Sequence, residues 1–394
     1  MTKSVYLDHA ATTPVRDEVM AAMAPFFGPR FGNPSSVHSW GREARVALDE
    51  ARERLANCLG ATPAEICFTS GGTEGDNFAI LGTWHALAPR GRRAAITTPI
   101  EHKAVLATVH HLIEEGGEER LVRVSDNGVV DADHFTSLLD NHAAIASVMW
   151  VNNEVGVIQD IIALGSIARD AGVVFHTDAV QAFGKVNIDL ASLPVDLLTI
   201  SGHKIGAPKG IGALFIRRDT PLSPIFHGGS QDRGRRPGTE NVAFAVGLAT
   251  AAELAIAERD AEMKRLGAIR DRFETMLHER IPGVVVNAAG TARAPHLSNF
   301  CIPGTDSESM LMALDLRGIA CSAGSACQSG SVSPSHVLSA LGVPLSLAGA
   351  ALRFSFGKLS TNETPDQVVE VLVELAEKAK QHTAAANSFA VVDF

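Results

Sequence analysis

Between residues 63 and 217, short apolar runs alternate with helical patterns, and few folds accommodate that rhythm. Glu65–Ser70 (EICFTS), Ala94–Thr98 (AAITT), Ile145–Val151 (IASVMWV), Val173–Asp178 (VVFHTD), Leu197–Ser201 (LLTIS) and Gly212–Ile216 (GALFI) read as buried strands. Lys103–Gly116 and Ile161–Ala171 carry helical spacing between them. Continuous apolar strands separated by helices predict a parallel or mostly parallel sheet with helices on both faces. In such α/β sheets ligands bind beyond the carboxyl ends of the strands, so chemistry is expected in the residues after each strand.

The texture changes near Ala243. A long helical stretch, broken around Gly267, is expected to run to Arg280 and join two domains. Strands at Val284–Asn287, His296–Ile302, Ile319–Cys321 and Leu352–Phe356 alternate with helices at Ser307–Leu316, Ser335–Leu341 and Thr364–Gln381, the pattern of a small α+β domain. A chain of 394 residues has length for two domains at roughly 100–200 residues each. The last residues, 383–394, carry little signal.

The strand ends open into polar, specific segments. After EICFTS comes Gly71-Gly72-Thr73-Glu74, a glycine pair opening a helix, which suits a phosphate although such a pair is more often ordinary turn chemistry. After AAITT come Glu101, His102 and Lys103; an imidazole there can stack on a flat ring, shuttle protons, or simply be a hydrogen-bonded surface group. Asn152, Asn153 and Glu154 come after IASVMWV. VVFHTD delivers Asp178 and then Gln181, and a carboxylate there can hold a pyridine nitrogen protonated or merely close a strand. After LLTIS comes SGHKIGAPKG, which sets Lys204 at the end of a buried strand among small residues. Partial burial lowers a lysine's pKa, the condition for Schiff-base chemistry.

The second half adds two features. Cys327 sits in CSAGSACQSGS (321–331), where nothing offers a core, and the loop of about 322–335 is expected to be mobile and exposed. Cys58, Cys67 and Cys301 read instead as small buried apolar residues, and Cys321 as a strand end with its sulfur partly buried. Arg353 stands inside the apolar strand LRFSF, where its fork can bind a carboxylate ligand or make an internal salt bridge.

Composition excludes several classes. The formal charge of −10 disfavours a nucleic-acid partner, and the short basic run Arg233–Arg236 reads as a solvated loop. No run of about 18 apolar residues predicts a membrane span. No secretory segment is visible at the start. Five cysteines without a C-x-x-C pair fit neither a disulfide framework nor a zinc site, and a reducing cytoplasm is the expected location.

Assembled, these segments resemble the NifS/IscS-type cysteine desulfurases, in the class V aminotransferase branch of fold-type I enzymes that depend on pyridoxal 5'-phosphate (PLP). The resemblance is carried by YLDHAATTPV (6–15), FGNPSSVHSWG (31–41), TSGGTEGDN (69–77), EHKAV (101–105), VNNEVGVIQD (151–160), HTDAVQAFGK (176–185), SGHKIGAPKGIGAL (201–214), RPGTENV (236–242), SAGSACQSGS (322–331) and LRFSFG (352–357). It implies a large PLP-binding domain over 15–261 with a mostly parallel seven-stranded sheet. Residues 1–14 and 262–394 would form a smaller α+β domain.

By the same resemblance, Lys204 matches the lysine that bonds PLP, Asp178 the partner of the ring nitrogen and Gln181 the contact to the ring hydroxyl. His102 matches the histidine stacked on the ring, with a proton-transfer role. Gly72, Thr73, Ser201 and His203 match the phosphate cup, and Thr239 a residue reaching the phosphate of the partner subunit, which implies a homodimer. Asn153 and Arg353 match the groups that hold the carboxylate of the L-cysteine substrate, and Cys327 the nucleophile that accepts its sulfur. The short G-S-A-C context matches the subgroup that hands sulfur to acceptor proteins such as iron–sulfur scaffolds. Gln328 stands where Thr or Ser is more familiar, and the tail after Gln381 does not resemble the usual partner-binding segment. The rival readings are a selenocysteine lyase, a class V transaminase, which has no need of Cys327, and a catalytically silent scaffold.

Overall fold

The computed structural model describes residues 4–323 and 335–389. In chain order its strands are β1 (Val5–Tyr6), β2 (Ile66–Thr69), β3 (Ala94–Thr97), β4 (Glu118–Leu121), β5 (Ala143–Ser147), β6 (Val174–Asp178), β7 (Leu197–Ser201) and β8 (Gly212–Ile216). They are followed by β9 (Val285–Val286), β10 (Leu297–Cys301), β11 (Ile319–Ala320) and β12 (Ala351–Ser355). Seven of them form one sheet in the order β2-β8-β7-β6-β5-β3-β4. The run from β7 to β4 is parallel, and β8 pairs antiparallel with both β2 and β7. This is the expected mostly parallel α/β sheet.

Every residue of β3, β5, β6 and β7 is buried, which is why these strands read as unbroken apolar runs. β4 is an edge strand of sequence EERL, with charged, partly exposed residues that blunt an open edge, and no apolar run announces it. The expected strand at 145–151 lies earlier, over Ala143–Ser147. Beyond it the chain turns back, with Val151 bridged to Ile158.

One expectation is overturned. The long helix is not broken at Gly267 but runs uninterrupted over Val242–Arg280. Packing explains it: Val242 to Ala252 bury against the large-sheet side, while Leu266, Ile269, Phe273 and Leu277 enter a second core. A glycine costs a helix interior about 1 kcal/mol relative to alanine, and burial on both sides of Gly267 outweighs that.

The second core gathers around an antiparallel sheet of order β12-β10-β9. Phe273 stacks on Phe354 at 5.3 Å between ring centroids and meets Phe300 at 5.4 Å. Leu7 belongs to this core, and β1 pairs with β11 through Val5–Ile319, so the chain start is drawn to the C-terminal half. The basic run is not a solvated loop either. Arg233 and Arg235 donate to the Ala64 carbonyl and Arg236 pairs with Glu74 at 2.9 Å. Among the described residues no helix is long and apolar enough to cross a membrane.

Candidate active site

Because β2, β3, β5, β6 and β7 run in one direction, the segments leaving their carboxyl ends converge. Gly72, Thr73, His102, Asn153, Asp178, Gln181, Ser201, His203 and Lys204 from those segments, with Arg353 from β12, line one cavity of about 370 Å³. Ten of the twelve residues singled out in the sequence therefore meet. Thr239 does not: it is exposed and lines a separate cavity with Gly210 and Asn241. Cys327 lies outside the described residues. A larger cavity of about 770 Å³, lined by Arg45, Asp49, Arg52 and Asp232, holds none of these groups. Its charges pair with one another, Arg52 with Asp232 at 3.1 Å, so volume alone does not locate the site.

Lys204 closes the single turn Gly202–Lys204 that follows β7. Its Nζ donates to the carbonyls of Ala10 and Ala11 at 2.5 and 2.8 Å. Burial, then the nearby Arg353 guanidinium, pushes its amine down to about 8, against the pull of Asp178 and Asp8. Asp178 ends β6 and is 5% exposed; one carboxylate oxygen accepts the Val180 N–H at 2.8 Å. Burial raises its pKa, opposed by His102 and Lys204. His102 caps the helix Lys103–Glu114 by accepting the Ala104 N–H on Nδ1 at 3.1 Å, an assignment that puts the neutral ring's proton on Nε2. Burial holds its pKa below the ordinary imidazole value, against the attraction of Asp178.

Several polar atoms here await a partner. Gln181 donates to the Ala10 carbonyl at 2.9 Å, but its buried Oε1 is unpaired, as is Asn153 Oδ1. Arg353 is 4% exposed; it meets Asp8 at 2.9 Å and the Asn153 carbonyl at 3.0 Å, and its Nε is left open. The internal salt bridge is thus present and uses only part of the guanidinium. The helix Gly72–Leu87 starts with no side-chain cap, and its first two residues, Gly72 and Thr73, line the cavity with Ser201 and His203.

Some contributors leave no mark in the sequence. The Ala10 and Ala11 carbonyls are backbone groups brought in from nearly two hundred residues away. Asp76, buried one turn into a helix with Oδ1 free of hydrogen bonds and 3.7 Å from His176 Nε2, is held above the usual carboxylate range by burial and by Asp178. His336 and Glu154 also line the cavity. Ser335 donates to Glu154 at 2.5 Å and Ser322 pairs with Arg353, so both described flanks of the segment carrying Cys327 are fastened to this site.

The aminotransferase class-V family profile matches residues 5–368. The chain belongs to the class-V aminotransferase family. Among this family's curated members it is 46% identical over 380 residues to the cysteine desulfurase IscS of Dictyoglomus turgidum, covering 96% of each chain. It is 44% identical over 366 residues to the cysteine desulfurase NifS of Azotobacter vinelandii, covering 93% of this chain and 90% of that one. Of solved structures, a NifS-like protein superposes with a TM-score of 0.89 at 35% identity, covering 95% of this chain and all (100%) of that chain. A structure of SspA in complex with cysteine gives 0.80 at 34% identity, covering 90% and 99%.

Class-V aminotransferases depend on PLP, and the residues present fit it. An uncapped helix start suits its phosphate, a buried carboxylate its ring nitrogen, the open Gln181 Oε1 its ring hydroxyl, and a lysine with a weakened hold on its proton its aldehyde. A Cβ on Gly72 would stand 2.8 Å from Val180 Cγ2, so this turn tolerates no side chain.

Proposed function

We propose that this class-V aminotransferase is a cysteine desulfurase: it removes sulfur from L-cysteine, releases L-alanine and carries the sulfur as a persulfide on Cys327. The observation that carries the reading is the convergence of Lys204, Asp178, His102 and Arg353 on one cavity to which Ser322 and Ser335, flanking the Cys327 segment, are bound. Bound PLP would supply an electron sink for charge developing on the substrate's α-carbon. Arg353 Nε and Asn153 Oδ1, both unpaired, are the groups for the substrate carboxylate and its neighbouring polar atoms.

Lys204 Nζ, with its pKa near 8, can take a proton and return it at working pH. Asp178 would hold the ring nitrogen of bound PLP by its carboxylate, and His102 offers Nε2 to the thiol chemistry. In the sulfur step the Cys327 thiolate bonds to the substrate sulfur and the carbon–sulfur bond breaks. Its electron pair stays with carbon, which gains the proton that completes alanine.

The active unit is a homodimer in which Thr239 serves the partner's phosphate site, a role consistent with its exposure away from its own cavity. The chain divides into 15–261 and the joined segments 1–14 and 262–394. A reducing cytoplasm suits Cys67 and Cys301, which are buried and free. The persulfide passes to an acceptor protein such as an iron–sulfur scaffold. Alanine release from L-cysteine tests the reading: the PLP-loaded protein should produce it and Cys327→Ser should not. Equal release by both would sink it.

A further inference from the structure

Lys204 also lines a second cavity, of about 440 Å³, which the proposed reaction does not use. Apart from Asp17, its exposed charges are matched. Glu258 pairs with Arg16 at 2.8 Å and with Lys358 at 2.5 Å, and Glu262 pairs with Arg265 at 2.8 Å. Three basic side chains lining it are not matched. His296 is 1% and His9 6% exposed, and neither ring nitrogen of either has a hydrogen-bond partner. Lys185, facing the same space, is reached by no hydrogen bond or ion pair among the described residues.

The arrangement is built into the backbone. A Cβ on Gly357 would stand 2.2 Å from His9 Cδ2, so only glycine lets that ring occupy its place.

A buried polar group left without a partner is destabilising, and the two histidines lining this cavity leave all four ring nitrogens in that state. Their nearness also disfavours a proton on any of them. Burial and then Lys185 push His9 down to about 4, and burial with Lys185 and His9 also holds His296 far below the ordinary value. Water can supply hydrogen bonds to such groups, but an anion also holds the proton on Lys185, whose amine burial and Lys204 push down to about 7. Asp8, which attracts His9, is engaged by Arg353, and of the lining carboxylates Glu18, Glu258 and Glu262 are paired while Asp17 is exposed to solvent.

We propose that this cavity binds one small anion, of halide or carboxylate size, held by Lys185 Nζ and by ring N–H groups of His9 and His296. Such an anion sits on the far side of Lys204 from the proposed substrate site and favours the protonated form of that amine. The inference rests on the cavity and not on the desulfurase reading, and the two fail separately because its readouts do not involve turnover.

The test uses crystals of the PLP-loaded protein soaked in sodium bromide. Bromide's anomalous signal should place a peak within hydrogen-bond reach of Lys185 Nζ and of an imidazole nitrogen. Excess acetate displaces that peak where carboxylates fit and leaves it where halides alone do. In solution, bromide affinity at constant ionic strength should fall roughly tenfold or more in Lys185→Met, the loss of one charge-assisted hydrogen bond. His296→Gln, which keeps a polar group but cannot become charged, should show a loss in the same direction and serves where Lys185→Met does not fold. Absence of the peak, ordered water filling the cavity in bromide, or affinity unchanged in both variants would overturn the proposal.

Discussion

An amine buried beside a guanidinium holds its proton less firmly than one in water, and Lys204, pushed down to about 8 by burial and Arg353, is that case. The ordinary value is 10.5, so between about 8 and 10.5 the unfolded chain binds a proton that the folded apoprotein has released. Over that window the group makes stability rise with pH, and below it the cost of burying the charge is fully present. The same titration governs reactivity, since only the free amine attacks an aldehyde. Uptake of PLP by the apoprotein, trapped with borohydride, should therefore accelerate as pH rises through about 8 and level off above. Peptide mapping should find the label on Lys204, whereas a flat profile or a label on another lysine contradicts the assignment. For Asp178, burial without a full partner means that its charge matters most once a ring nitrogen is beside it. Asp178→Asn should keep most PLP by absorbance and lose turnover by about two orders of magnitude or more. Alanine release near the wild-type rate would remove the residue from the reaction.

Secondary-structure elements set these side chains in place, and two glycines show how differently the same residue can act. At Gly72 the space is closed, with Val180 Cγ2 at 2.8 Å from any Cβ, so Gly72→Ala should push the helix start off the sheet edge. PLP titration should show affinity weakened by at least about tenfold, and unchanged affinity would argue that the phosphate binds elsewhere. Gly267 is the reverse: its Cβ would make ordinary contact with Pro295 at 3.4 Å inside an unbroken helix. Gly267→Ala should stabilise by about 0.5–1 kcal/mol, read as a higher unfolding midpoint. The same helix marks a limit of reading sequence, for a lone glycine signals a break only where tertiary packing does not override it. Strands β3, β6, β7 and β8 were legible because burial on both faces writes itself as apolar runs, and Lys204, Asp178 and His102 because chemistry gathers where such runs stop. β4 was not legible, since an edge strand carries charge, nor was β1, two residues whose partner lies more than three hundred positions on. The Ala10 and Ala11 carbonyls had no side-chain signature to find, and Asp76 looked like any polar residue on a helix.

At the scale of the molecule, the two cores joined by the Val242–Arg280 helix bring Arg353 and the flanks of the Cys327 segment against the ends of the large sheet. If Thr239 completes a partner's phosphate site, dilution that separates subunits should release PLP, so sedimentation and cofactor absorbance should change together. A monomer with full PLP would refute that assembly. The nucleophile assignment divides two cysteines that sit close in sequence. Cys321 directly follows β11, partly buried, with burial and Asp8 pushing its thiol up to about 12, which leaves almost no thiolate near neutral pH. The most direct test of the central claim is mass spectrometry of peptides from the PLP-loaded protein after brief exposure to L-cysteine and blocking of free thiols. One added sulfur atom is expected on Cys327 and none on Cys321, and added sulfur on Cys321 with Cys327 unmodified would overturn the assignment of Cys327 as the nucleophile.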